Sequence, residues 1–556
     1  MNSTARATLE RLFDEANSLI AAGDARTALG LAQQAWNLAP TDADCSNLVG
    51  VCAVALGDGA TAEQCWRQAL ALNPQTIEAR VNLARFCMES NRVGEAEEML
   101  RQATSLAPEH AGAQLLLGRL LAAREDAEAA LHYRKALSLA PDLAEAWANL
   151  ALDLERENKW DEAEAHHRRA LALEPGSAQI RINLGNLLAR RHRHSEAEGE
   201  YRHALALDPS SAAAHTSLGV LQADFGLDAE AEQSLRAALQ WKPDYPLACH
   251  NLALLLLAQG RFGEGWPLHE ARAHPSLPAP NTPIPPLPCP QWEGQPLAGK
   301  RLLVWPEQGY GDMIQFCRYL PLLKAQGTAR IALVCRKAQV DLLKTLAGVD
   351  EVVALGEADK VVGKHDYWTL PLSLPLHHGT TLDNIPARLP YLHAPHERIA
   401  QWRERMAASG KKIGLVWRGN AHHSNDGQRS LPGFSILQPL LSATKASFYS
   451  LQMGCGETLP GQVADLGKDI ADFADSAAIV EQLDLLITVD TAIAHLAGAL
   501  GKPCWIMLPS WRSDWRWLRG RSDSPWYPGV ARLYRQARGE SWQAVVARIA
   551  GDLQAQ

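Results

Sequence analysis

"LLITVDTAIAHLAGALGKP", residues 485–503, decides the fold of the second half of this chain. Leu485, Leu486, Ile487 and Val489 read as a buried strand behind Asp484, and Asp490–Thr491 stop it. Small and apolar residues at helical spacing follow. Gly501 then reads as the C-terminal stop, and Pro503 opens another apolar run, "CWIML". The stretch is strand, sharp turn, helix, strand. His495 lies one helical turn beyond Thr491 on the same face. A helix N-terminus at the carboxyl end of a parallel strand collects anions, because free N–H groups and the helix dipole point there. The turn is predicted to hold a phosphate.

The same alternation extends outward from this stretch. Strands are predicted at 301–305, 330–335, 351–355, 412–417, 447–452, 484–489 and 504–508, with helical segments between them. That order implies parallel sheets of Rossmann type. A charged helical stretch at 396–412 joins two lobes, and ligands belong where the two sets of strand ends face each other. In the first lobe, "WPEQGYGDMIQF" begins a G-x-G-x-x-G match at Gly309 and Gly311, but Ile314 fills the third glycine's place. After the second strand stand Arg336 and Lys337 rather than the acid that holds an NAD ribose, which argues against a dinucleotide oxidoreductase. Asp312 lies at a helix start beneath glycines that let another molecule approach the backbone. By itself it fits an N-cap aspartate, worth about 1 kcal/mol to its helix.

In the second lobe, "GLVWRGNAHHSNDGQRSLP" places Arg418 and Asn420 directly after a strand. A polar loop then carries His422, His423 and Arg429, and Pro432 starts a helix. Adjacent histidines seldom point at one centre, so this pair reads as part of a solvated loop rather than as metal ligands. The arginines, with the 490 turn, are suited to neutralising a diphosphate from two sides. The segment 511–527 is dense in Trp and Arg. It reads either as a structural cap over the sheet or as a platform for an acceptor or a nucleotide base.

Ahead of this half runs a proline-rich spacer, and ahead of that a repeat. Prolines fall at 40, 74, 108, 141, 175, 209 and 243. Alanines stand twelve residues before each (Ala28, Ala62, Ala96, Ala129, Ala163, Ala197, Ala231) and five before each (Ala35, Ala69, Ala103, Ala136, Ala170, Ala204, Ala238). Small residues at fixed phase let the two helices of a hairpin approach, and the proline closes the second helix. An eighth, atypical unit puts Gly265 in the first alanine's place, as a capping repeat would. The period resembles the tetratricopeptide repeat.

Composition sets bounds without adding a function. The chain has 556 residues, 47% of them hydrophobic and 21% charged, with a formal charge of −8. There is no electrostatic ground for a nucleic-acid or anionic-membrane partner. The first residues carry acids within an amphipathic pattern and no apolar core of a signal peptide. No apolar run approaches the roughly 20 residues of a membrane span. Ten cysteines stand singly, without metal-ligand spacing, and read as reduced core thiols of a cytoplasmic protein.

"GYGDMIQF", "GLVWRGN", "RSLP", "SLQ", "DLLITVDTAIAHLAGALGKP" and "DSPWYP" together resemble the bacterial tetratricopeptide-repeat glycosyltransferases. Their catalytic part is similar to the ADP-heptose transferases of lipopolysaccharide synthesis. The likeness covers the whole chain. It implies an α-solenoid followed by two Rossmann lobes in the glycosyltransferase B architecture, with metal-independent, inverting transfer from a nucleotide sugar and no cofactor. By match, Asp312 takes the place of the base that deprotonates the acceptor, and Asp490, Thr491 and His495 take donor-binding places; His495 adds a donor and a charge if protonated and is a packed helix residue if neutral. Arg418, Asn420 and Arg429 join the donor side. Heptosyltransferases carry a lysine in the region of Arg429 and often a glycine at the position of Ala492, and the sequence departs from both. In the O-linked N-acetylglucosamine transferases, whose superhelix the repeats resemble, asparagines at one repeat position hold a peptide backbone. Asn82, Asn149, Asn183 and Asn251 occupy that position here, where Asn is also simply common.

The expectation is therefore a repeat superhelix over 1–273 that recruits a protein acceptor, with flagellin as a candidate. A linker over 274–298, an acceptor-side lobe over 299–397 and a nucleotide-sugar lobe with a C-terminal helix over 398–556 complete it. A non-enzymatic scaffold with a degenerate transferase part, and a lipopolysaccharide heptosyltransferase, are the alternatives.

Overall fold

A computed structural model describes residues 3–277, 284–407, 410–421, 425–454 and 456–555. Part of the proline-rich spacer, together with His422, His423 and Cys455, lies outside the described residues. The chain divides into two compact units, 1–217 and 218–556, and the division falls inside the helix Ala212–Asp224.

The first unit is built of antiparallel helix pairs, from Ser3–Ala21 with Ala25–Leu38 through Ala178–Arg190 with His194–Leu207. The phased alanines explain the pairing. Within this unit all of them, from Ala28 to Ala204, are at most 1% exposed, so each packs where a larger side chain would hold the helices apart. Each second helix ends two residues before its proline, at Leu38, Leu72, Leu106, Leu139, Leu173 and Leu207. Inside the pairs the turn is closed by left-handed residues at Gly23, Gly57, Asn91, Glu125, Asn158 and His192.

The second unit opens with the helices Asp228–Trp241, Pro246–Ala258 and Phe262–His269 and continues into two parallel sheets. Strands β1 (Arg301–Val304), β2 (Arg330–Cys335), β3 (Glu351–Ala354) and β4 (Tyr367–Thr369) form a sheet of order β3-β2-β1-β4. The other strands are β5 (Lys412–Val416), β6 (Ser447–Ser450), β7 (Val463–Asp465), β8 (Leu485–Val489), β9 (Cys504–Leu508) and β10 (Ala531–Arg535). They form a sheet of order β10-β9-β8-β5-β6-β7. All seven expected strands are present, shortened by up to two residues at their ends. The apolar runs of β8 and β9 are buried along their whole length, as central parallel strands must be. The strands β4, β7 and β10 are additions to the sequence reading.

One hydrophobic core runs from the last repeat into both sheets. It joins Leu257, Phe262 and Trp266 to Phe316 and Leu333 of the first sheet's side and to Leu486 and Ile506 of the second sheet. The repeat pattern ends near residue 273, but the compact unit begins at Leu218, so the final repeat is packed as part of the α/β body. Among the described residues no helix is long and apolar enough to cross a membrane.

Candidate active site

Strand β1 delivers the chain to the turn before the helix Tyr310–Phe316. Gly309, extended at φ −71° and ψ 173°, is the N-cap of this helix, and Asp312 is its third residue. Asp312 therefore does not occupy the N-cap position expected of it. Its Oδ2 reaches back to accept the Gly309 N–H at 2.7 Å, satisfying a donor that the first turn leaves open. The other oxygen accepts a hydrogen bond from Arg516, whose Nη1 also donates to Asp514 Oδ2 at 2.9 Å. The Arg516 side chain is only 7% exposed, and its guanidinium lies 4.5 Å above the Trp515 ring.

The turn that follows β8 lies in the same neighbourhood. Thr491 is extended and begins the helix Ala492–Ala499, but no side chain caps the first N–H groups of that helix. The Thr491 hydroxyl instead sits 3.3 Å from that of Thr488. Asp490 is pushed up to about 6 by burial and then by the Asp514 carboxylate, while Arg429 and Arg516 oppose the rise. Arg429 closes a short turn, Asp426–Arg429, and its Nε lies 3.4 Å from Asp426 Oδ1. Two carboxylates and two guanidinium groups thus surround the turn, with Asp312 joined to them through Arg516.

His495 packs among aromatic rings. Its Nδ1 is 2.9 Å from the Tyr527 hydroxyl and its ring stacks on Trp517, 5.0 Å away at 14°. Burial, then the charge of Arg516, lowers its pKa to about 3, so the imidazole is neutral at neutral pH. It supplies packing, not a cation for a phosphate. The sign of the pH effect follows. An unfolded chain takes up this proton as pH falls through about 6.5, while the folded chain does not until about 3. His495 thus lowers stability progressively across that window. Relative to His495→Gln, wild type is expected to lose about 2 kcal/mol between pH 7 and pH 5, measured by denaturant unfolding at both pH values.

Gly311 is also accounted for from within. A Cβ there would lie 2.8 Å from His495 Cδ2 and 3.4 Å from Ala492 Cα, so the residue is glycine because the helix Ala492–Ala499 passes against it. The molecule approaching this backbone is the chain's own second lobe. Gly498 plays the matching part on the other side of that helix, where an added Cβ would come within 2.3 Å of the Tyr527 ring.

Arg418 is committed elsewhere. Its Nη1 is 3.0 Å from Glu457 Oε1, its Nε donates to the Leu431 carbonyl at 3.3 Å, and it also reaches the Pro432 carbonyl. Its role is to fasten the loop between β5 and the following helical turns, on which Asn420 is exposed. Pro432 does not start a helix. A 3-10 turn, Phe434–Leu437, precedes the helix Gln438–Ala443.

On the first lobe, the ends of β1 and β2 and the segment after β4 line a small, narrow cleft. Glu307, Gln308, Asp312, Arg336 and Leu372 are among its lining residues. The Trp/Arg segment is a cap in that Trp517 and Trp526 are fully buried, yet the same segment supplies Arg516 and Asp514 to the site. Neither residue was among the sequence candidates. The only signal was an Asp and an Arg two residues apart between tryptophans. Among the described residues no three His, Cys, Asp or Glu side chains are grouped as metal ligands.

Along the repeats, the Asn82 amide donates to Asn47 Oδ1 at 3.0 Å, which adds to the expected row a residue one position out of phase. Asn183 accepts from Gln179 at 2.9 Å, Asn149 is half-buried, and Asn251, in the second unit, donates to the Leu247 carbonyl at 2.8 Å.

The tetratricopeptide repeat model matches residues 53–120 and 154–221. Protein FlbA of Caulobacter vibrioides is 31% identical over 330 residues, covering 54% of this chain and 53% of that protein. The chain therefore spans about half the length of the curated relative it matches. Among solved structures, the Cut9–Hcn1 hetero-tetramer of the APC/C is 16% identical, covering 48% of this chain and 53% of that one with a TM-score of 0.41. Pseudomonas aeruginosa PilF is 19% identical, covering 38% and 97% with a TM-score of 0.35. The chain thus carries tetratricopeptide repeats, a module for binding protein partners, ahead of a parallel-sheet α/β region.

Proposed function

We propose that the chain is a glycosyltransferase that moves a sugar from a nucleotide-sugar donor to a hydroxyl of a protein held by its repeats. The observation that carries this reading is the convergence of Asp312, Arg429, Asp490 and Arg516 beside uncapped N–H groups at the ends of parallel strands. A leaving diphosphate needs donors and positive charge where its negative charge develops. The first turn of Ala492–Ala499 offers the N–H groups, and Arg429 offers a guanidinium. His495, being neutral, is not part of that charge. Asp490 would repel phosphate and suits sugar hydroxyls as an acceptor of hydrogen bonds.

On the first lobe Asp312 lines the small cleft, its side chain 16% exposed, and in this reading it meets the acceptor hydroxyl there. In an inverting step that hydroxyl oxygen attacks the anomeric carbon, the bond from that carbon to the diphosphate breaks, and Asp312 takes the hydroxyl proton. Flagellin is the first acceptor class to test, and transfer in this reading needs no metal.

A panel of nucleoside diphosphates tests the donor side directly. One of them is expected to stabilise the full chain by about 2.7 kcal/mol at 100 times its dissociation constant, read as a rise in melting temperature. No shift with any member of the panel would favour a repeat scaffold whose α/β part has lost its chemistry.

A further inference from the structure

After the last repeat helix the chain makes a 3-10 turn, Glu270–Ala273, and buries a charge. The Arg272 side chain is 3% exposed, as is that of Glu307 in the turn between β1 and Asp312. Arg272 Nε donates to Glu307 Oε2 at 2.8 Å and Nη2 to Glu307 Oε1 at 3.3 Å, a two-pronged pairing. Nη2 also donates to Ser373 Oγ at 2.8 Å, and Nη1 to Glu270 Oε1 at 2.7 Å. Glu307 Oε1 accepts the Leu372 N–H at 2.8 Å as well. Glu307 and Leu372 both line the pocket that Asp312 faces.

Such an arrangement is a poor way to gain stability. Removing two charges from water offsets most of their attraction, and an apolar pair of similar volume would hold the fold as well. What a forked guanidinium–carboxylate pair adds is direction, since both partners are planar and must align. The aligned carboxylate belongs to the turn that leads into the helix carrying Asp312. We propose that Arg272 is a positioning residue: through Glu307 it fixes the 306–312 loop and the pocket wall, so the segment closing the repeats sets the place of the proposed base. Arg272 does not touch Asp312 and acts only through Glu307. The link to turnover rests on the transferase reading above, whereas the link to the loop does not.

The test uses the full chain with Arg272→Lys, which keeps the charge but not the fork, and with Arg272→Met. Hydrogen–deuterium exchange reads the loop, and sugar incorporation into the acceptor protein reads the reaction. In Arg272→Lys the melting temperature and the nucleotide-induced shift are expected to stay near wild type, while the amides of 307–312 and 372–373 exchange about 10-fold faster or more. In that variant kcat falls by about 10-fold or more, with little change in acceptor KM, because small displacements of a reacting group are costly. Arg272→Met is expected to lose more of both. A folded Arg272→Lys protein with unchanged loop exchange overturns the proposal, and so does unchanged kcat. If wild type itself transfers no sugar, the transferase reading fails, and loop exchange alone judges Arg272.

Discussion

Replacing Asp312 with Asn is expected to reduce sugar transfer about 100-fold or more while leaving the protein folded and able to bind nucleotide. The Asn amide oxygen still accepts the Gly309 N–H, so the helix Tyr310–Phe316 keeps its first-turn bond. Arg516 loses one partner but retains both oxygens of Asp514. What disappears is the capacity to take a proton from an acceptor hydroxyl. Initial rates of sugar incorporation by intact-protein mass spectrometry, alongside the melting temperature with and without nucleoside diphosphate, decide the matter. Near-normal turnover in Asp312→Asn would reduce the residue to a helix cap and a partner for Arg516.

The second large effect concerns where the chain can be cut. A fragment of residues 218–556 is expected to fold, and a fragment beginning at 274 is not, although the repeat pattern ends there. The shorter piece lacks Phe262 and Trp266, which are 1% and 2% exposed in the shared core. Trp266 also donates its indole N–H to the Thr380 carbonyl at 3.1 Å and packs 5.4 Å from the Trp515 ring. Loss of a buried Trp side chain costs about 3–5 kcal/mol. Loss of Arg272 strands the buried Glu307 carboxylate at a similar cost of about 3–5 kcal/mol. Together these approach the roughly 5–15 kcal/mol by which a domain is stable at all. Circular dichroism melts of the two fragments make the comparison, and a cooperative melt of 274–556 at the temperature of 218–556 would sink it.

The alanine and proline phases disclosed the helix pairs because a period of 34 residues repeats one local contact many times, and each repetition confirms the others. Strands such as Leu485–Val489 and Cys504–Leu508 were equally plain, being continuous apolar runs bounded by turn residues. Tyr367–Thr369 and Val463–Asp465 have three residues each, too few to show a pattern, and Ala531–Arg535 carries an arginine at either side of its core. At the site, local reading reached Asp312 and Asp490 because each closes a strand-to-helix turn. It did not reach Arg516, whose meaning comes from a carboxylate 204 residues away in sequence. His495 shows the other kind of limit. Helical spacing put it on the face of Thr491, but whether a histidine carries charge depends on the rings packed around it, here Trp517 and Tyr527.

The position of Leu218 at the start of the second unit also bears on how such a chain changes over evolutionary time. Duplication or loss of a 34-residue segment ahead of it keeps every residue of the second unit, so recombination there lengthens or shortens the repeat array at little risk. The same event between 218 and 273 would swap out Trp266 and Arg272 and be purged as a folding defect. Diversity of repeats is then expected to accumulate from the amino-terminal side, while the last repeat is inherited with the α/β body it packs against.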